Sequence, residues 1–263
     1  GVRGANGVIL VTTKRGETGK AQVSVTASGS LQQISDFIDF TDSYNYGRMW
    51  NYTAITDNLD ADKWPGTSYI NDYTPYVGNG IRFNQNVMQH FKDGDMPRTF
   101  PNINWMDYLM KDAAWQEQVN VNVSGGTDKM RYFVSAGFLN QNSLFKTFSD
   151  NPNETFAYNR YNYRANLDID VSKYSQLAIT LGGRVENRTT LGQGEEFIFR
   201  YLQGATPYAG YGVDEEGRLL ISDLGYQHNC RQPLTNYYKL GYNYRSKNVV
   251  NFDLQYKLDM SWL

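Results

Sequence analysis

Catalysis needs side chains that attack, ligate or trade protons, and this chain holds few of them in a usable arrangement. His90 and His228 stand apart from any serine, cysteine or carboxylate set, and the single cysteine, Cys230, has no internal disulfide partner. Two histidines and one cysteine are too few for a typical zinc site, so no metal cofactor is expected. Glu195 and Glu196 are adjacent, and on an extended chain adjacent side chains point oppositely. They read as loop charges instead of an acid/base pair with a defined separation. The run Asp57-Asn58-Leu59-Asp60-Ala61-Asp62 offers oxygens but lacks the glycine and closing glutamate of an EF-hand loop. Gly1, Gly4 and Gly7 precede an apolar strand signal, not a helix, and so mark a turn instead of a dinucleotide fingerprint. What remains is rings. Trp50, Trp64, Tyr69, Tyr73, Tyr76 and Tyr208 fall in long polar segments, where a flat ring buries ligand surface at little entropic cost. The same rings serve equally well to pack a loop's own small core.

The elements that would position those rings are strands. Tyr161, Tyr163, Ala165, Leu167, Ile169 and Val171 alternate with Asn162, Arg164, Asn166, Asp168 and Asp170, a period of two with one fully polar face. The pattern returns where Val250, Phe252, Leu254, Tyr256, Leu258 and Met260 alternate with Asn251, Asp253, Gln255, Lys257, Asp259 and Ser261. Weaker versions at Val23 to Ala27, Val119 to Val123, Met130 to Phe138 and Leu177 to Leu181 bring the expected number to about six strands. The connections alternate in length. Gly125 to Lys129 and Ser172 to Ser175 are tight hairpin turns, whereas roughly 33 to 116, 141 to 158 and 189 to 247 far exceed the usual two to about five residues. An up-and-down barrel would then carry every short turn on one rim and every long loop on the other. Within the loops, Asn104 is expected to cap a helical turn through Trp105, Tyr108 and Leu109, and Gln85 to Lys92 to form a second, stopped by Asp93-Gly94.

Composition limits the partners. With 25 basic and 27 acidic residues the formal charge is −2, which gives no electrostatic footprint for nucleic acid. No apolar run approaches the ~20 residues of a transmembrane helix. A mean hydropathy of −0.59 is still compatible with a membrane barrel, whose strands are apolar only at alternate positions. The opening shows no signal peptide.

The opening run Gly1-Val2-Arg3-Gly4-Ala5-Asn6-Gly7, continued by Val8 to Val11, resembles the end of the plug domain in SusC/RagA-like TonB-dependent transporters. Segments similar to that family then follow in its order. They are a first strand at 21 to 31, a short helical segment with Tyr46, Trp50 and Asn51, Phe100 to Trp105, strands through Val119 to Phe138, and Thr206-Pro207-Tyr208 with Asp214 to Gly217. Nothing comparable is found in 55 to 80 or 220 to 248. The resemblance implies an all-β fold: part of a transmembrane antiparallel up-and-down β-barrel, about six strands, with long extracellular loops containing short helices. Residues 1–20 would be the C-terminal end of the plug, with Arg3, Gly4, Ala5, Asn6 and Gly7 as its motif, and 21–263 the N-terminal part of the barrel. It further implies outer-membrane localisation and TonB-dependent import of glycans, oligosaccharides or peptides. The implied partners are a SusD-like surface lipoprotein, the TonB complex and outer-membrane lipid, without a cofactor or enzymatic activity.

A soluble β-sandwich carbohydrate-binding module is the competing reading, because it also alternates apolar and polar positions. Strands of about ten residues exceed the usual five or six of sandwiches, and a sandwich has no need of alternating loop lengths. An all-β glycoside hydrolase lacks a convincing carboxylate pair. The barrel reading places the apolar sets beginning at Tyr161 and Val250 against lipid and Asp168, Asp170, Asp253 and Asp259 toward the lumen. Taken alone, the chain is expected to form an open sheet with edges near 21 to 31 and 249 to 261, which cannot close and is prone to aggregate.

Overall fold

A computed structural model describes residues 14–35, 39–58, 83–148, 156–214, 218–220, 233 and 241–260. The main element is an antiparallel sheet of six strands. These are β1 (Gly19–Gln32), β2 (Ala114–Gly126), β3 (Met130–Asn142), β4 (Ala157–Ser172), β5 (Ser175–Leu191) and β8 (Tyr242–Leu258), paired in that order. Each runs 13 to 17 residues, well beyond the usual sandwich strand. Between β5 and β8 a small hairpin forms from β6 (Gly212–Val213) and β7 (Leu219–Leu220).

Pairing register decides which side chains share a face, since directly opposite residues of an antiparallel pair lie on the same side. One row reads Ala27, Val119, Phe138, Tyr161 and Val185, and the next reads Val25, Val121, Ala136, Tyr163, Gly183 and Val250. A third reads Val23, Val123, Val134, Ala165, Leu181 and Phe252, and a fourth runs Tyr132, Leu167, Ile179 and Leu254. The alternation visible within single strands is therefore in phase across the whole sheet. From Tyr161 to Val171 the chain advances ten steps of about 3.4 Å, and a strand tilt of about 40° would make that band roughly 26 Å tall. Phe252 is 66% exposed, and among the described residues no second sheet covers this face.

The opposite rows are polar. Ser24, Asn122, Ser135, Arg164, Gly182 and Asn251 form one, and Gln22, Ser124, Phe133, Asn166, Thr180 and Asp253 another. Lys14 to Gly16, just before β1, lie against this face. The Lys14 carbonyl accepts a hydrogen bond from Asn166 Nδ2, and Arg15 pairs with Asp168. Gly16 passes so close to the backbone of Tyr132 that a Cβ there would collide with it. The expected polar placement of Asp168, Asp170 and Asp253 holds, whereas Asp259 lies past the end of the last strand, where its N–H donates to the Tyr174 carbonyl at 2.8 Å. Arg131 pairs with Asp170 at 3.0 Å.

The long connections leave one end of the sheet and the tight turns the other. Thr127 closes the β2–β3 turn by donating its N–H to the Met130 carbonyl at 2.7 Å, and the Ser172 and Ser175 hydroxyls meet at 2.9 Å in the β4–β5 turn. Four helices occupy the long-loop end: α1 (Ser43–Asn58), α2 (Gln85–Asp93), α3 (Trp105–Leu109) and α4 (Glu195–Gln203). Asn84 caps α2 by accepting from the Val87 N–H at 3.0 Å, and Gly94, at φ 66°, ends it in the left-handed region. Asn104 caps α3 by accepting from the Met106 N–H at 3.1 Å.

Two expectations need correction. The segment holding Tyr46 and Trp50 is not short: α1 has 16 residues, because Ser43, Gly47, Asn51 and Ile55 make a buried stripe at helical spacing. Glu195 and Glu196 are not loop charges on an extended chain. They open α4, which forms because Ile198 and Leu202 bury one turn apart, and Glu196 pairs along the helix with Arg200 at 3.1 Å.

The face assignment is testable in the full-length protein reconstituted in lipid. Leu181→Arg, in the middle of the apolar band, is expected to destabilise it by about 2–4 kcal/mol. Thr180→Arg, one residue away on the polar face, is expected to change stability by no more than about 0.5 kcal/mol. Denaturant titration followed by heat-modifiable gel mobility measures both.

Candidate functional site

The loop end is a built structure. Its helices and loops form two small cores, one around Trp105, Leu109, Phe145, Leu191, Ile198 and Leu202, the other around Ile55, Phe83, Val87, Phe91, Phe100 and Tyr208. Buried polar contacts tie the loops to one another. Asn51 accepts from the Phe83 N–H at 3.1 Å and donates to the Phe83 carbonyl at 2.6 Å, joining α1 to the start of α2. Ser43 Oγ donates to the Pro101 carbonyl at 2.7 Å. Trp105 Nε1 donates to the Thr206 carbonyl at 2.8 Å, and the Ile103 N–H to the Pro207 carbonyl at 2.9 Å, so the β1–β2 loop is fastened to the β5–β8 loop. The β3–β4 loop joins through Lys146 N–H to the Leu109 carbonyl at 2.8 Å and Lys111 N–H to the Leu144 carbonyl at 2.7 Å. The described parts of all three long loops thus form one cap.

The predicted contact residues fare differently within it. Tyr208 is 1% exposed and packs edge-on against Tyr46 at 5.5 Å and Phe83 at 5.2 Å, so its ring serves the cap's own core and not a ligand-facing surface. Trp50 is 42% exposed and stacks on Tyr46 at 6.3 Å, which leaves a preorganised ring at the surface of the cap. Trp64, Tyr69, Tyr73 and Tyr76 lie outside the described residues, as do Arg3, Gly4, Ala5, Asn6 and Gly7 of the plug motif. His90 stacks on Phe100 at 4.3 Å and meets Asp95 at 2.7 Å, a packed position without a nucleophile beside it. Among the described residues no three His, Cys, Asp or Glu side chains converge on a point that could hold a metal.

Where the cap meets the sheet, a cavity of about 850 Å³ opens. Its roof is apolar, with Met106, Met110, Phe145 and Phe199, and its floor is the end of the polar face, with Gln32, Gln141, Tyr158 and Arg188. The amides are chained: Gln141 Nε2 donates to Gln32 Oε1 at 3.1 Å, and Gln32 Nε2 to Gln116 Oε1 at 2.6 Å. Tyr158 donates its hydroxyl to Glu186 at 3.1 Å. Such a surface presents amide and hydroxyl groups of the kind that hydrogen-bond a polar solute.

These wall residues escaped the reading of individual strands. Gln116, Gln141 and Arg188 are distant in sequence, and only the register sets them in one row. Arg164 and its neighbours on β4 were legible as polar alternation, as were Asn251 and Asp253 on β8, but Arg184, Glu186 and Arg188 on β5 were not.

Asn51 gives the cap's test. Replacing it by leucine removes both bonds to the Phe83 backbone, and leaving those buried groups unsatisfied is expected to destabilise the cap by about 2–4 kcal/mol. Hydrogen exchange should then rise in residues 83–113 while the β2 to β5 amides stay protected.

No protein-family model matches the chain. A TonB-dependent receptor, P26, of Formosa agariphila is 26% identical over 175 residues, covering 65% of this chain and 14% of that protein. The TonB-dependent receptor SusC of Bacteroides thetaiotaomicron is 26% identical over 147 residues, covering 56% of this chain and 11% of that one. Among solved structures, the RagAB peptide importer in its closed-closed state superimposes with a TM-score of 0.57 and 19% identity, over 98% of this chain and 28% of its counterpart. The chain therefore spans about a seventh of the length of the P26 relative. Its sequence is similar to TonB-dependent receptors, SusC among them, and its open six-stranded sheet matches the barrel fold of RagA.

Proposed function

We propose that this chain forms part of the wall and extracellular cap of an outer-membrane transporter that imports oligosaccharides, other glycans or peptides with energy delivered through TonB. The observation that carries the reading is the sheet itself: an apolar band of membrane height on one face, polar rows on the other, and all long loops gathered into a cap at one end. Lys14 to Gly16 support it. These residues lie on the polar face themselves, as the end of a plug within the lumen would, which fits 1–20 as the end of that plug and 21–263 as barrel. The similarity to TonB-dependent receptors supports the energy source, and the RagAB neighbour supports a SusD-like lipoprotein lid over the cap. A soluble β-sandwich is disfavoured by strands of up to 17 residues and by an apolar face that no second sheet covers among the described residues.

Disrupting the gene is expected to abolish growth on one class of oligosaccharide or peptide while growth on its monomers continues. Loss of TonB should reproduce the defect. Equal growth of the disrupted strain on every polymeric nutrient supplied would overturn import. Within the intact transporter, Trp50→Ala is expected to weaken binding of that nutrient about tenfold, or about 1.4 kcal/mol, as removal of an exposed stacked ring does. Isothermal titration of the purified transporter measures it, and unchanged affinity would remove Trp50 from the site.

A further inference from the structure

The polar face is not uniform in charge. Toward the turn end Arg131 and Lys257 are balanced by Asp168, Asp170 and Asp253. Toward the cap, strands β4, β5 and β8 place Arg160, Arg164, Arg184, Arg188, Arg245 and Lys247 on that face against the lone carboxylate of Glu186. Glu186 is already engaged by Arg184 at 3.3 Å and by the Tyr158 hydroxyl. Among the described residues no carboxylate lies within ion-pair distance of Arg160, Arg164, Arg245 or Lys247. Arg160 Nε is buried without a hydrogen-bond partner. Arg188 and Arg245 are direct cross-strand partners, a like-charge placement that opposes folding.

We propose that this wall binds the acidic groups of an anionic oligosaccharide, one whose sugar rings bear carboxylate or sulfate. The inference rests on the import reading and names its substrate class. A guanidinium fork matches the planar oxygens of a carboxylate or the face of a sulfate, and a cationic row along a lumen concentrates and passes anions. The rest of the face argues for sugar. On β1 and β2 it presents Ser24, Thr26, Ser28, Gln118, Asn120 and Asn122, hydroxyls and amides suited to ring hydroxyls. Among the described residues, Lys14 and Arg15, which lie on this face, supply no counter-charge to it. They are themselves basic, and they dock at the acidic end, on Asn166 and Asp168.

The test uses the full-length transporter with its lipoprotein partner, titrated with hexagalacturonate, a sulfated galactan hexamer, a neutral maltohexaose and a hexaglutamate peptide. At least one anionic sugar should bind, its affinity falling steeply with salt. Arg164→Gln together with Lys247→Gln should weaken that binding at least tenfold while leaving the thermal midpoint of the protein unchanged. Failure of both anionic sugars to bind, or binding indifferent to the double substitution, would overturn the proposal. Equal or tighter binding of hexaglutamate would replace sugar with acidic peptide. Binding of maltohexaose alone would overturn the anionic class while leaving import intact. Import has its own readout in the growth defect of the disrupted strain.

Discussion

Register is the constraint on which the rest of this structure depends. Side chains alternate with a period of two, so slipping one strand by a single residue would exchange its apolar and polar faces completely. Five pairings must hold in phase for the band from Val23 to Phe252 to be continuous, and they do so without a shift between β2 and β3, β3 and β4, or β5 and β8. The tight turns enforce this. Thr127 and the Ser172–Ser175 hydroxyl pair lock two hairpins at one end, and each hairpin fixes the relative position of long strands. An error there would move every aspartate of β4 into the apolar band, at a cost of several kcal/mol in hydrocarbon.

The other end obeys a different rule. Long connections cannot hold a shape by turn chemistry, so they must bury something, and here they bury one another. Asn51, Ser43 and Trp105 each satisfy buried backbone groups of a distant segment, which makes the cap specific in geometry as well as compact. The consequence for function is division of labour within one set of aromatics. Tyr208 is committed to holding the cap together, and Trp50 is held by its neighbour at the surface.

Much of this was legible in the chain itself. The alternation from Tyr161 to Val171 and from Val250 to Met260 needs only a period of two, and the alternation of short and long connections already placed the turns on one rim. Gly94 as the stop of one helix and Asn104 as the cap of another were legible because capping is local chemistry, settled within four or five residues, whereas the Asn84 cap emerged only in the structure. The second half of β5 was not legible, since beyond Gly182 and Gly183 only Val185 continues the apolar rows and the contrast that marks a strand fades. Helix α4 was missed because Ile198 and Leu202 become a buried stripe only when Leu191 and Phe145 are there to cover them.

The sequence by itself determined most of the main sheet's strands, their two faces and the tight turns, because each of these follows from neighbours a few residues apart. The tertiary structure alone decided which rings are buried and which polar residues share a row. Tyr208 is 1% exposed because it packs against Tyr46 and Phe83, rings more than a hundred residues away in the chain. Arg188 meets Arg245, and Gln32 meets Gln116 and Gln141, only through cross-strand pairing. Nothing in the spacing of those residues along the chain encodes that meeting, because the loops between the strands vary in length without altering the register that the sheet imposes.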